Sequence, residues 1–286
     1  MKVGIQLYSV KNTINNDPNP LGILKKVADL GYKYWEPAQV PYLPEMKFGL
    51  GALPAKEVKK LLNDYGVKLV GCHINPIYGD NYKEALDYFK ELECPNIGWT
   101  GSFFANRDEL DKWCAVYNEA GRLAKAYDMQ FYYHSHWHEF QKFDGKYVMD
   151  IILDSTDPEL VAFELDNYWA ARGGMDPVKL IDQYKDRLIM LHQKDFSKDA
   201  GEPLNMFEFI DPNSVLTGKL HSEVRKVHHF AEVGNGVLPI QDYIDAGNKA
   251  GIPYILLEQD LCAIDELESI RISMEAFHKF SGIEWE

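Results

Sequence analysis

The feature that most constrains this chain is a repeated alternation. Eight short apolar runs read as strands, at 3–10, 32–38, 67–75, 96–101, 130–136, 160–167, 188–196 and 253–260. Between and after them lie segments with apolar residues at helical spacing, at 20–31, 54–66, 81–93, 107–128, 176–187, 239–251 and 263–280. Several of these close on glycine (Gly31, Gly66, Gly251), a common helix stop. Strands that alternate with helices predict a parallel sheet. Eight such units in 286 residues match the period of a (β/α)8 TIM barrel, read as a single domain over 1–286. A doubly wound open sheet is the weaker alternative, because no G-x-G-x-x-G follows the first strand.

Composition narrows the partners. The net charge of −14 repels phosphate backbones and anionic lipid, so the chain is expected to bind neither nucleic acid nor membrane. No run of about 18 apolar residues occurs, and the first ten residues lack a signal-peptide core. Cys72, Cys94, Cys114 and Cys262 form no C-x-x-C pair and fit no zinc ribbon, so free thiols in a reducing, cytoplasmic setting are expected. A leader trimmed earlier would leave no trace.

In an eight-fold barrel the chemistry sits at the carboxyl ends of the strands. Those ends carry Glu36 on the second run, His73 and Asn75 on the third, Trp99 on the fourth, and His134 and His136 on the fifth. Glu164, Asp166 and Asn167 follow on the sixth, His192, Lys194 and Asp195 on the seventh, and Glu258 and Asp260 on the eighth. Any one of them has an ordinary reading, as a hydrogen-bonded strand end or a helix N-cap. As a ring they do not, since burying many ionisable groups together is costly unless they pair or hold an ion. Mixed Asp, Glu and His suits one divalent metal, with Mn²⁺ foremost and Co²⁺, Zn²⁺ or Mg²⁺ as alternatives.

The fifth run, "FYYHSHWHEF" at 131–140, is the densest part of that ring. With a side-chain period of two, His134 and His136 share a face and can both enter the barrel mouth. If extension stops near His136, Glu139 turns back over the mouth.

At these residues the chain resembles the sugar phosphate isomerase/epimerase group of xylose isomerase-like TIM barrels. The resemblance rests on "GIQLYSV", "LGYKYWE", "YYHSHWHEF", "ELDNYWAARGGMDP", "MLHQKDF", "EVGNGVLP" and "LLEQD", in that order along nearly the whole chain. It implies a single metal held by an acid after strand five, an Asp after strand six, a His after strand seven and a Glu after strand eight. The last three fall on Asp166, His192 and Glu258. For the first, Glu139 is the expected ligand, because three carboxylates suit a hard ion, and His134 is the alternative, because "HSH" stands where many epimerases read "ENH".

The implied reaction is proton abstraction next to a carbonyl, through an enediolate bound to the metal. The expected catalytic residues are His134, His136, Glu258 and Lys194; the expected substrate contacts are His73, Trp99, Trp169 and Glu232. A metal-dependent sugar or keto-sugar isomerase or epimerase is the first expectation. A lyase or dehydratase acting by β-elimination on a 3-keto-glycoside or inosose is the alternative, since a base on one face and an acid on the other also serve β-elimination where His replaces one of the two glutamates of the epimerases. An endonuclease IV-like phosphodiesterase would need a histidine at 169, where Trp169 stands, and a surface less acidic than this one. A non-catalytic sugar-binding subunit would not need Asp166, His192 and Glu258. The loop at 197–236 is expected to cover the mouth, and the chain to act on a small sugar or derivative, with homo-oligomerisation possible.

Overall fold

The computed structural model describes residues 1–39, 50, 53–211 and 214–285. The expected domain span also takes in 40–49, 51–52, 212–213 and 286, which lie outside the described residues. Among the described residues, eight barrel strands occur in chain order. They are Lys2–Gln6, Tyr34–Glu36 continued by Ala38–Gln39, Lys68–Leu69 continued by His73–Ile74, Asn96–Thr100, Gln130–His134, Val161–Asp166, Leu188–Gln193 and Tyr254–Leu257. Each pairs in parallel with the next, and the first pairs with both the second and the eighth, so the sheet closes on itself as a TIM barrel. Pro37 breaks the second strand because it has no N–H to donate. The third strand stays in register across its gap, where Val70 N donates to Trp35 O and His73 N to Pro37 O.

Alternation along each strand sorts residues into two layers. Val3, Ile5, Trp35, Leu69, Ile97, Phe131, Tyr133, Phe163, Leu165, Leu191 and Ile255 face the helices and form the large outer core. Tyr34, Val70, Tyr132, Ala162, Met190 and Leu256 form a separate small core inside the ring. Tyr132 crosses that interior beside two glycines: a Cβ at Gly98 would lie 2.3 Å from its ring, and one at Gly71 2.6 Å from its hydroxyl. Two residues further along the same inward faces, the apolar layer gives way to a polar one, which is the site.

The helices lie close to the expected segments: Pro20–Asp29, Ala55–Tyr65, Gly79–Glu91, Arg107–Ala126, Pro177–Tyr184, Ile240–Ala250 and Glu266–Phe277. The run at 3–10 is strand only to Gln6 and then turns into a 3-10 segment, Leu7–Val10. The loop after the seventh strand has structure of its own. Asp195–Phe196 pairs antiparallel with Phe230–Ala231, and a short helix spans Gly218–Val224. From this loop His221 packs beside His136 and Trp169, and Arg225 Nη1 lies 4.0 Å from Asp260 Oδ1. Cys72, Cys94, Cys114 and Cys262 are free thiols. No helix among the described residues is long and apolar enough to cross a membrane.

Candidate metal centre and active site

Because Glu164 and Asp166 are two apart on one strand, both side chains enter the barrel, and the same spacing turns His192, on the next strand, and Lys194, just past its end, inward. Four donor-bearing side chains converge there. His134, Asp166, His192 and Glu258 each offer a ligand atom, all within 4.8 Å of one another, and all four are buried.

The imidazoles are held from behind by carboxylates. Glu164 Oε2 lies 2.8 Å from His134 Nδ1 and 2.9 Å from His73 Nε2. His192 Nε2 sits 2.7 Å from Glu36 Oε2 and 3.1 Å from Glu164 Oε1. This leaves His134 Nε2 toward Asp166 Oδ2, at 3.9 Å, and His192 Nδ1 toward Glu258 Oε2, at 3.1 Å. A carboxylate behind the ring fixes its orientation and turns the other nitrogen toward the remaining donors, the arrangement that metal-binding histidines use once that nitrogen has given up its proton. Two such imidazoles and two carboxylates fit an ion of intermediate hardness. Glu36 is itself held by Gln6 Nε2, at 2.7 Å, and by the Tyr132 hydroxyl.

The ammonium of Lys194 lies between Asp166 and Glu258, hydrogen-bonded to both, with Asp260 Oδ2 at 3.9 Å. Burial disfavours this charge, but Asp166, Asp260 and Glu258 outweigh it and raise its pKa above the usual lysine range. The same contest sets the neighbours. Burial pushes the Glu258 carboxyl up, and Lys194 and His192 bring it well below its ordinary value. Burial pushes the His192 imidazole down, and Glu164, Glu36 and Glu258 hold it well above. Asp260 goes the other way: burial raises it, and Lys194 only partly offsets that.

Glu139, the expected acidic ligand, does not join this group. Its oxygens take the Tyr133 hydroxyl at 2.6 Å, the His136 backbone N–H at 2.8 Å and His138 Nε2 at 3.1 Å. The chain turns into a 3-10 segment at His138–Phe140, which folds Glu139 back onto its own strand rather than over the mouth. The aligned alternative, His134, stands with Asp166, His192 and Glu258.

The other expected residues divide. His73 is buried in the polar layer, against Glu164 and 3.3 Å from Gln6 Nε2. His136 is partly exposed beside His134, with Trp169 and His221 around it. Burial, with the neighbouring imidazoles and the Lys194 ammonium adding to it, pushes its pKa well below 6.5, so it is neutral at pH 7. Trp169 borders the site, its ring 5.9 Å from the Lys194 ammonium. Trp99 faces outward, stacked on Trp113 and bonded to Ser102, because odd positions of the fourth strand point at the helices. Glu232 accepts from Ser269 Oγ at 3.0 Å, on the last helix. Lys194 pairs with neither Asp195 nor Glu232; Asp195 instead accepts from the backbone N–H groups of Phe196, Gly234, Gly236 and Leu238.

Glu36, Glu164 and Asp260 stood out at strand ends without a role; period-two spacing from Tyr34, Asp166 and Glu258 was their signal. Gln6, His221 and Arg225 carried no such signal, since their placement depends on ring closure and on the fold of the loop.

The chain matches the xylose isomerase-like TIM barrel family over residues 24–277 and belongs to it. Among curated relatives, inosose dehydratase from Geobacillus kaustophilus is 23% identical over 241 residues, covering 72% of this chain and 73% of that protein. Inosose dehydratase from Clostridium perfringens is 28% identical over 171 residues, covering 59% of this chain and only 54% of its own length. A sugar phosphate isomerase/epimerase from Parabacteroides distasonis superposes with a TM-score of 0.77 at 21% identity, covering 99% of both chains. IolI, solved with a bound zinc atom, superposes with a TM-score of 0.70 at 13% identity, covering 98% of this chain and 97% of its own.

Proposed function

We propose that this protein is a metal-assisted dehydratase acting on a cyclic keto-polyol of the inosose class. The observation that carries the reading is the convergence of His134, Asp166, His192 and Glu258, with both imidazoles backed by carboxylates. The names of the curated relatives support elimination over the isomerisation placed first by sequence. The departure at 134 supports it too. Epimerisation by two glutamates requires a carboxylate there, and an imidazole stands in its place.

A divalent ion held by these four residues would supply positive charge beside the substrate carbonyl, which lowers the energy of an enediolate. The bound zinc of IolI supports such an ion, with Mn²⁺, Co²⁺ and Mg²⁺ as further candidates. The chain's own residues do the rest. A base removes the proton next to the carbonyl, the C–H electron pair becomes the new double bond, and the β-hydroxyl leaves with a proton as water. His136, neutral and partly exposed at the mouth, is placed to take that proton. Lys194, charged and beside Asp166 and Glu258, is placed to steady the oxyanion once an ion takes its position between those carboxylates. His73 and Glu164 keep the imidazoles oriented, and Trp169 gives the ring an apolar wall.

The test is incubation of metal-loaded protein in D₂O with inososes, 3-keto-glycosides and ketoses. Water loss from an inosose, yielding an unsaturated ketone seen by its ultraviolet absorbance, is expected. Deuterium uptake with an epimeric or isomeric product and no water loss would transfer the reading to isomerisation. No exchange with any member of the panel would refute enolisation altogether.

A further inference from the structure

His221 is the only buried side chain of the helix Gly218–Val224, the short helix that the loop lays over the mouth. Its Nδ1 lies 2.9 Å from Trp137 Nε1. An indole nitrogen only donates, so Nδ1 is the acceptor and the ring proton resides on Nε2. Nε2 lies across the ring from Trp137 and has no partner among the described residues. Its surroundings are those of the site: His136 and Trp169 each have ring centroids 5.2 Å from it. Burial, then Arg225, His138 and Lys194, hold its pKa well below 6.5, so it stays neutral. One turn further on, Arg225 Nη1 reaches to 4.0 Å from Asp260 Oδ1, which pins the helix to the end of the eighth strand.

We propose that His221 is a substrate-binding hydrogen-bond donor, its Nε2–H fixed by Trp137 and offered to a hydroxyl or carbonyl oxygen of the polyol. The proposal rests on the function above for its substrate class. A neutral imidazole does not surrender this proton; it polarises an oxygen by hydrogen bonding without adding charge to a site that already holds an ammonium. Trp137 is then a positioning residue, and the loop carries part of the recognition as well as covering the mouth. If His221 only accepted from Trp137, its Nε2–H would be idle and its loss would affect folding alone.

Two measurements test this. In ¹⁵N-labelled protein, long-range imidazole spectra, assigned with His221→Gln, are expected to show the Nε2–H tautomer, and titration with myo-inositol is expected to shift that Nε2–H signal. In kinetics with the inosose turned over, His221→Phe is expected to lose about 10²-fold in kcat/KM, and His221→Gln, which restores an N–H near Nε2, to recover about tenfold of it. Trp137→Phe is expected to mix the tautomers and lower kcat/KM while leaving metal content unchanged. The proposal is overturned if the proton is on Nδ1, or if His221→Phe stays within about threefold of wild type. If the wild-type protein dehydrates no inosose, the function above fails, and the myo-inositol shift alone then decides: no shift overturns the proposal.

Discussion

Lys194→Met should reveal that this ammonium and the metal compete for the same carboxylates. Lys194 is fully buried between Asp166 and Glu258, with Asp260 close by. Met keeps the length of the side chain and removes the charge, leaving Asp166 and Glu258 without the ammonium between them. Breaking a buried ion pair from one side costs about 3–5 kcal/mol. At about 2 °C per kcal/mol for a chain this long, the EDTA-treated variant should melt about 6–10 °C below wild type. Added Mn²⁺ should reverse the order of response. In wild type the ion must displace the ammonium; in the variant no ammonium stands between the carboxylates. Each tenfold gain in affinity adds about 1.4 kcal/mol of ligand-linked stability, so the Mn²⁺-induced rise in Tm should be larger in the variant by about 3 °C or more. Turnover should be lost although metal is bound. The assay is thermal unfolding in EDTA and across a Mn²⁺ series. Equal melting in EDTA, or equal Mn²⁺ shifts in the two proteins, would refute the claim that Lys194 occupies the cation position.

Glu258→Gln should abolish both bound metal, measured by elemental analysis, and turnover; survival of both would mean that the site is misassigned. Glu164→Gln, which leaves the four donors in place but weakens the backing of His134, should reduce metal affinity about 10–100-fold in a competitive chelator titration. Gly98→Ala puts a Cβ 2.3 Å from the Tyr132 ring and should destabilise the protein by about 1–3 kcal/mol in urea unfolding, while Gly66→Ala, with nothing within 4 Å but a positive φ, tests backbone strain without the clash. The pH dependence of stability should carry the mark of His221. Its folded pKa lies well below 6.5, so the unfolded chain binds the extra proton first, and stability present above about pH 6.5 is lost as the pH falls below it. The urea midpoint of wild type should therefore fall between about pH 7.5 and 5.5 more than that of His221→Gln; parallel curves would exclude this contribution.

The barrel was legible because its signal is local. Apolar runs separated by helical periodicity define eight units, and eight units close in only a few ways. The strand ends then named most of the polar layer, since position in a TIM barrel strand fixes which end of the ring a residue reaches. Two kinds of residue were misplaced. Trp99 was read from its nearness to a strand end, but alternation sends it outward onto Trp113. Glu139 was read from its charge, and the turn at His138–Phe140 returns it to Tyr133 and His138.

By itself, then, the sequence determined the barrel and the inventory at its mouth: His134, Asp166, His192, Lys194 and Glu258 follow from period-two spacing on successive strands. Only the tertiary structure decided how these groups divide the work. Whether an imidazole points forward as a ligand depends on the carboxylate behind it, and Glu36, Glu164 and His192 come from three different strands. Whether Lys194 meets Asp195 or Asp166 depends on strand register, and His221 reaches Trp137 only because the loop folds back over the ring. Pairings between distant segments leave no periodicity in the chain, so they are settled by packing and by the need of buried polar atoms for partners.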